Sequence, residues 1–442
     1  MRAALTTLGC KVNHYETEAM RELFAQDGWE IADFSAPADV YVVNTCTVTQ
    51  TSDTKSRQMI ARAHRMNPGA LVVAVGCYAQ TAPEAVAALE GVGLVVGTDG
   101  RREIVARVKE ALAKRGSGSD FGSSSESEVP PAKSGEVLVS PLYEMRAFEP
   151  LSAVRDSRTR ATLKIQDGCV NFCSYCIIPY ARGPLRSRPL EEISAEVALL
   201  AAEGYREIVL TGIHLASYGR DLCGQSAALL DAVARASEPD GIRRIRLGSL
   251  EPLFVTKAAA KALSENPKLC RQFHLSLQSG SNTVLQRMNR RYTAEEYMQA
   301  LALLRRHMPD CAVTTDVIAG FCGETEEEHA QTLAFCEWAA FTRMHVFPFS
   351  LRKGTKAESL GGHLPKSVRE ARAKELIRLG GRLTQAYRNA QVGSVVEVLA
   401  ESGGAGYSGN YIRVRTDAPE GEIVRIRIEG FEGETAFGAR AD

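Results

Sequence analysis

The sequence predicts an α/β chain in three parts: an open parallel sheet with helices on both faces, a partial β/α barrel of six units, and a small all-β barrel. Three observations predict it. Strand and helix patterns alternate through residues 1–114 and again, six times, after a Gly/Ser/Pro-rich stretch at 116–134. Beyond residue 392 the pattern changes to short alternating strands with Gly-rich turns. At 442 residues the chain is long enough for two to four domains. The boundaries read as 1–115, a flexible linker over 116–150, 151–385 and 386–442.

In the first part the apolar runs Ala3–Leu8, Val40–Val43, Leu71–Val75 and Leu94–Val96 predict strands. Helical patterns lie at Glu16–Gln26, Asp53–Arg65, Pro83–Glu90 and Glu103–Lys114. In the second part the strands are Ala161–Ile165, Glu207–Thr211, Arg244–Leu247, Phe273–Leu277, Ala312–Ile318 and His345–Phe349, with helices such as Glu191–Ala202, Ala294–Arg306 and Glu326–Ala340 between them. Six units are too few for a full eight-unit barrel. A basic helix follows at Ser367–Arg388, then strands at Ser394–Leu399, Tyr411–Arg415 and Ile423–Ile428.

Lys plus Arg equals Asp plus Glu at 53 each, so any nucleic-acid surface must be local. The amino terminus has no apolar segment of signal-peptide length, and no run of about 18 apolar residues appears. The expectation is a cytoplasmic protein without a membrane partner. Its 11 cysteines are then metal ligands, catalytic groups or buried thiols rather than disulfides.

Two sets of cysteines stand out. Cys169-x3-Cys173-x2-Cys176 directly follows the first strand of the second series, at the C-terminal mouth where β/α barrels place their chemistry. Three thiolates in eight residues suit one soft metal centre and leave a coordination position open. Zinc would ask for a fourth protein ligand, and His214 is the nearest candidate. Cys10, Cys46 and Cys77 are far apart in sequence, yet each lies just past the C-terminal end of a parallel strand, in LTTLGC, VVNTC and VAVGC. Those ends line the ligand-binding edge of an open α/β sheet. Gly9 and Gly76 suit tight turns there. Three unrelated core thiols are the plain alternative. Cys223, Cys270, Cys311, Cys322 and Cys336 show no metal spacing.

The Cys-x3-Cys-x2-Cys motif, with Tyr175 before its last cysteine, resembles the radical S-adenosylmethionine (SAM) superfamily. LGCKVN, VNTCTV and GCYAQ resemble the amino-terminal domain of its methylthiotransferase family, and the likeness covers nearly the whole chain outside the linker. It implies two 4Fe-4S clusters: one on Cys169, Cys173 and Cys176 whose open iron chelates SAM, and an auxiliary one on Cys10, Cys46 and Cys77 that carries the transferred sulfur. It implies no catalytic residue beyond the clusters. It also implies a central radical SAM barrel and a C-terminal RNA-binding TRAM barrel.

Residues at the strand ends are candidates for holding SAM: Tyr175, Gly212, Ser249, Glu251, Gln278 and Ile318, the last in a segment resembling the family's adenine-packing strand. Helix caps and turns explain the same Ser, Gly and Glu residues as well. Thr211-Gly212-Ile213-His214 departs from the family's Gly-Gly-Glu stretch, and Val170 stands where Asn is usual.

DGCVNFCSYCIIPYARGPLRSR most resembles the type that methylthiolates N6-threonylcarbamoyladenosine at position 37 of tRNA. Isopentenyladenosine in tRNA and a ribosomal-protein aspartate are the other substrates of the family. The resemblance implies a tRNA anticodon stem-loop as partner, an electron donor such as flavodoxin or ferredoxin, and a monomer. The RNA signal lies in Arg413 and Arg415, in Arg425 and Arg427 on one strand face, in the net +5 of Lys366–Arg388, and in Arg182, Arg186 and Arg188 after the cluster loop. Against it, residues 391–442 carry a net charge of −4. A non-catalytic iron–sulfur protein that binds RNA or carries electrons shares the cysteines but would not cleave SAM. A radical SAM enzyme with a zinc-bearing first domain is the other alternative.

Overall fold

A computed structural model describes residues 1–116, 135–152, 159–222 and 228–441. Nearly all of the expected linker, and Cys223, lie outside the described residues. The chain forms two compact units: one of 1–154 with 167–170 and 176–186, the other of the remaining residues.

The first unit runs β1 (Arg2–Thr7), α1 (Lys11–Gln26), β2 (Glu30–Ala32), β3 (Val40–Thr45), α2 (Gln50–Met66), β4 (Leu71–Gly76), α3 (Cys77–Thr81), α4 (Pro83–Ala87), β5 (Val92–Val96), α5 (Ile104–Gly116) and β6 (Glu136–Leu138), and it includes α6 (Ile178–Arg182). Its sheet is parallel throughout, in the order β2-β1-β3-β4-β5-β6. Every residue of β3 and β4 is buried, which is why both read as continuous apolar runs. Val40 and Val42 pack with Phe24, Val73 and Val75 on one face, while Tyr41 and Val43 pack with Ile60, Val72 and Ala74 on the other. The edge strands β2 and β6 were not expected, since three residues carry too little alternation to read. Helix α1 starts at Lys11, five residues before the apolar stripe predicts. Its first turns bury Asn13, Glu16 and Thr17, which look like a solvent face in the sequence.

The second unit opens with β7 (Arg160–Asp167), β8 (Arg186–Ser187), α7 (Leu190–Ala202), β9 (Glu207–Gly212), α8 (Leu229–Ser237), β10 (Arg244–Leu247), β11 (Ser249–Leu250), α9 (Lys257–Glu265), β12 (Gln272–Leu275), α10 (Asn282–Arg287), α11 (Ala294–His307), β13 (Ala312–Ala319), α12 (Glu326–Ala339), β14 (Arg343–Pro348) and α13 (Lys366–Gln391). All six expected strands are present. With the two-residue strands β8 and β11, which were not expected, they form two four-stranded sheets, β10-β9-β7-β8 and β11-β12-β13-β14, and Ile245 of the first pairs with Leu269 ahead of β12. Tight N-terminal caps set the helices: Thr293 with Glu296 and Thr325 with Glu328 each form a reciprocal capping box.

A closed five-stranded barrel ends the unit: β15 (Val395–Glu401), β16 (Ala405–Ser408), β17 (Arg413–Arg415), β18 (Ile423–Glu432) and β19 (Thr435–Arg440). Val398, Val414, Ile426 and Ile428 fill it, and Arg413, Arg415, Arg425 and Arg427 face out, as the alternation predicts. Strands β16 and β19 escaped prediction because AGYS and TAFGAR are rich in small residues of low strand preference. The barrel is held by the first residues of the β/α strands. Arg244 donates to Tyr407 O (2.8 Å) and Glu397 O (2.6 Å), and Arg246 to Ser408 O and Gly409 O (both 3.2 Å). Fully buried Glu207 balances Arg246 at 2.8 Å, and Arg160 lies over the Tyr407 ring. The contact therefore uses the strand starts, the structural end of a β/α barrel.

Glu328 also accepts from Arg287 at 2.9 and 2.6 Å. The Arg287 hydrogen bonds, against the opposing effect of burial, hold its carboxyl at about 2 rather than 4.5. A folded-state value below the unfolded one contributes stability that is complete above about 4.5 and is lost as pH falls through about 2. Glu328→Gln is expected to cost about 1–3 kcal/mol near neutral pH. Urea unfolding at about pH 6.5 and about pH 3.5 checks this. The gap between variant and parent narrows at the lower pH, whereas an equal gap at both would mean the carboxylate charge is not its source.

Candidate active site

In the first unit the strands β1, β3 and β4 are adjacent, and each delivers one cysteine at its C-terminal end. Cys10 caps α1, Cys46 follows β3, and Cys77 begins α3. The thiols of Cys10 and Cys77 both donate to Asn13 Oδ1 at 3.9 Å, so one amide oxygen lies between the two sulfurs. Asn13 is itself fixed by donating to Leu8 O (2.8 Å) and Thr45 O (3.0 Å). Cys46 Sγ sits where a side chain on Gly9 would collide, 2.7 Å from its Cβ. A Cβ on Gly76 would lie 2.3 Å from Asn44 Oδ1 and 2.8 Å from Thr45 O. Both glycines have positive φ, so the turns and the close approach require them.

Beside this trio lies a buried charge network that sequence reading missed. Glu16 is fully buried between Arg101 and Arg182, each 2.5 Å away. Arg101 also meets Glu149 (2.9 Å), and Asp167 meets Arg182 and Arg186 (both 3.3 Å). Three cations face three carboxylates, so the network closes its own charge. Arg182 then donates through Nε to Cys77 Sγ at 3.3 Å. Burial pushes the Cys46 and Cys77 thiols up, and Arg182 opposes the rise at both. A polar i, i+3 pair, Asn13 and Glu16, on a helix that packs against a sheet was the available signal.

This overturns one expectation. Arg182, Arg186 and Arg188 are not a phosphate-tracking surface: all three are buried, and Arg188 is held by Glu192 and Glu196. The basic excess of α13 is also largely engaged. Arg372 pairs with Glu324 and Glu326, Arg382 with Glu337, and Arg388 with Glu434.

In the second unit Cys173 Sγ accepts from Arg290 Nη1 at 3.3 Å. Arg290 is also 2.8 Å from Glu251, which meets His214 (2.9 Å) and Asn171 (3.1 Å). Burial raises the Glu251 carboxyl, but the His214 hydrogen bond and Arg290 outweigh it and hold it at about 2. Glu251, a SAM candidate, is thus drawn into a set with Cys173 that includes Arg290 and Asn171. His214 is tied to Glu251, and to Ser217 Oγ through its other ring nitrogen at 2.5 Å, rather than presented as a fourth thiolate-site ligand. Tyr175 and Ile318 share one apolar cluster, with Tyr175 edge-on to Phe321 at 6.3 Å. Gln278 joins Ile318 through the backbone (2.9 Å) and holds a left-handed φ of 66°. Gly212 ends β9 against Gln166, and Ser249 is exposed in β11. The remaining thiols Cys270, Cys311, Cys322 and Cys336 are buried.

The donor sets suit iron–sulfur clusters. The cysteines of both trios are outside any disulfide, and a buried arginine side chain donates to one sulfur in each, Arg182 to Cys77 and Arg290 to Cys173. Among the described residues no three side chains close on a point as ligands of a single ion do. A cubane binds its cysteines at separate iron corners and needs no such closure.

The comparisons agree with this chemistry. Residues 2–97 match the "Uncharacterized protein family UPF0004" and residues 163–336 the "Radical SAM superfamily". The chain is 42% identical to the threonylcarbamoyladenosine tRNA methylthiotransferase MtaB of Bacillus subtilis, over 96% of this chain and 93% of that one. It is 37% identical to the MtaB of Aquifex aeolicus, over 97% and 100%. It is 33% identical to a tRNA-2-methylthio-N(6)-dimethylallyladenosine synthase of Chlorobium phaeobacteroides, over 99% and 96%. Among solved structures, the radical SAM methyltransferase TsrM of Kitasatospora setae shares the fold, with a TM-score of 0.54 at 18% identity over 79% of this chain and 74% of that one. The chain belongs to the radical SAM methylthiotransferase family and is of its MtaB type.

Proposed function

We propose that the chain converts N6-threonylcarbamoyladenosine at position 37 of tRNA to its 2-methylthio derivative. One observation carries the reading: Cys10, Cys46 and Cys77 stand at the ends of three adjacent parallel strands, beside Arg182, in a chain whose relatives carry that activity in their names. A radical alone would not need this second trio. The likeness to a dimethylallyladenosine synthase makes that nucleoside the second reading.

In this reading Cys169, Cys173 and Cys176 hold one 4Fe-4S cluster and Cys10, Cys46 and Cys77 an auxiliary one. When bound, these groups and SAM supply the electron, the radical, the sulfur and the methyl group. The protein's own part is placement. Arg182 and Asn13 fix Cys77 and Cys10, and Arg290 fixes Cys173. Glu251 and His214 give the second set a locked, fully paired arrangement. Tyr175 and Ile318 form the apolar wall proposed for the adenine, with Gln278 bonded to the Ile318 backbone as a polar contact beside it, and Gly212 and Ser249 are the strand ends. We assign substrate delivery to an anticodon stem-loop, whose unstacked bases can enter a recessed site. The outward arginines of the C-terminal barrel are its proposed phosphate contacts. We place the reaction in the cytoplasm, with the protein a monomer reduced by flavodoxin or ferredoxin. Among the described residues no helix is long and apolar enough to cross a membrane.

Replacing Cys10, Cys46 and Cys77 together by Ala is expected to remove about half of the iron and sulfide of the reconstituted protein. Loss of zinc in their place would sink the auxiliary-cluster assignment. In a Cys169/Cys173/Cys176→Ala background, Arg182→Met should lower cluster affinity at the remaining trio by about tenfold or more, the usual effect of losing an outer-sphere partner. Iron retained during chelator challenge reads this, and retention equal to the parent would limit Arg182 to a purely structural role. Mass spectrometry of tRNA nucleosides tests the substrate. A host lacking the gene should accumulate threonylcarbamoyladenosine and lose its methylthio form. Loss of methylthiolated dimethylallyladenosine in its stead would favour the second reading.

A further inference from the structure

Within the second unit a recess of about 290 Å³ opens beside Cys173's neighbour Asn171. His214 and Glu251 line its inner side, Phe254 and Leu253 its apolar side, and Arg220 and Arg291 the rest. Its charge can be counted. Glu251 is the only acid of the lining, and it is already matched by Arg290 at 2.8 Å and His214 at 2.9 Å. Arg220 and Arg291 are exposed, and among the described residues neither side chain has a hydrogen-bond or ion-pair partner. The recess thus offers two uncommitted guanidinium forks next to an aromatic ring, with no carboxylate left to occupy them.

Guanidinium forks fit carboxylates bidentately, and a phenyl ring beside them fits a nucleobase or an alkyl chain. We propose that Arg220 and Arg291 are specificity-determining residues that bind the carboxylate of the amino-acid substituent on the substrate adenine. This inference rests on the functional reading above. The threonylcarbamoyl group ends in a carboxylate and the dimethylallyl group has none, so the same pair that attracts the first gains no counter-charge from the second. A site built for a polar group rejects the analogue that lacks it more strongly than an apolar pocket rejects an extra group. The rest of the recess does not distinguish the two nucleosides, because Asn171, His214 and Glu251 are committed to one another.

The test uses the full-length reconstituted enzyme and anticodon stem-loops that carry threonylcarbamoyladenosine either as the free acid or as its methyl ester, which removes the charge at the cost of one added methyl group. The parent should favour the acid in kcat/KM by at least about tenfold, the value of a charge-assisted hydrogen bond. In Arg220→Gln/Arg291→Gln that ratio should collapse to within about twofold, and stem-loop binding measured by fluorescence anisotropy should lose the same discrimination. Three outcomes overturn the proposal. The ratio persists in the double variant. Acid and ester weaken equally, which assigns the pair to tRNA phosphates. The SAM concentration for half-maximal 5′-deoxyadenosine release rises, which assigns the pair to the methionyl carboxylate of SAM. A parent that turns over neither acid nor ester loop but accepts a dimethylallyladenosine loop overturns the functional reading itself, and is distinguishable because the arginine variants play no part in that result.

Discussion

The first unit depends on an ion pair buried without solvent access, Glu16 between Arg101 and Arg182. Burying an ion costs several kcal/mol even after relaxation, so such a pair persists only where geometry and counter-charges are complete. Here they are: Glu149 and Asp167 match the charge that Glu16 leaves over, and Arg186 completes the balance. The parallel sheet supplies the means. Its two valine-rich faces bury enough apolar surface, at about 1.5–3 kcal/mol per large side chain, to offset the desolvation of a handful of charges. The result is a rigid cation held against Cys77. Arg182 lies six residues after Cys176 in the chain, so the segment that closes the first cysteine motif is also the one that presents an arginine to the second trio.

The strands of the second unit divide labour along their length. At their starts, Glu207, Arg244, Arg246 and Arg160 clamp the C-terminal barrel through backbone carbonyls and tyrosine rings. At their ends, Glu251, His214 and Arg290 gather around Asn171 and Cys173. Both ends set arginine against a glutamate, Glu207 fully buried and Glu251 half-buried, with different consequences. At the starts the partners are carbonyl oxygens of the barrel, which only accept, so the donors of Arg244 and Arg246 shown in the clamp are spent on structure. The ends leave a thiol among the acceptors, and a thiol is the one acceptor in the set with coordination chemistry of its own.

Most of the fold was legible because its signals are local. Buried parallel strands such as Val40–Thr45 and Leu71–Gly76 carry unbroken apolar runs, Val40–Val43 and Leu71–Val75, rich in the β-branched residues that favour strands. The placement of Cys10, Cys46 and Cys77 was legible for the same reason, since it follows from where strands stop, while Cys169, Cys173 and Cys176 stood out by their spacing alone. What stayed hidden was whatever needs a partner distant in sequence. Asn13 and Glu16 look like a wet helix face until Arg101 and Arg182, 85 and 166 residues further on, are brought against Glu16. Arg182, Arg186 and Arg188 misled in the opposite direction, since three arginines in seven residues look like a surface for phosphate and are in fact three buried counter-ions. Charge in a sequence reports composition; only the fold reports whether that charge is free to meet a ligand.

That distinction sorts the arginines of this chain by function. Those matched by buried carboxylates, such as Arg101 and Arg246, set the positions of backbone and thiols and are closed to solvent. Arg290 stands between, sharing its guanidinium between Glu251 and Cys173. Arg220 and Arg291 keep theirs uncommitted in the lining of the recess that Glu251 also lines. Within the second unit the buried side chains of Arg246 and Arg290 are committed, and the exposed ones of Arg220 and Arg291 are not. A pocket arranged this way resists collapse when empty, because its inner charges are satisfied by one another, and selects when filled, because only its outer charges remain to be satisfied.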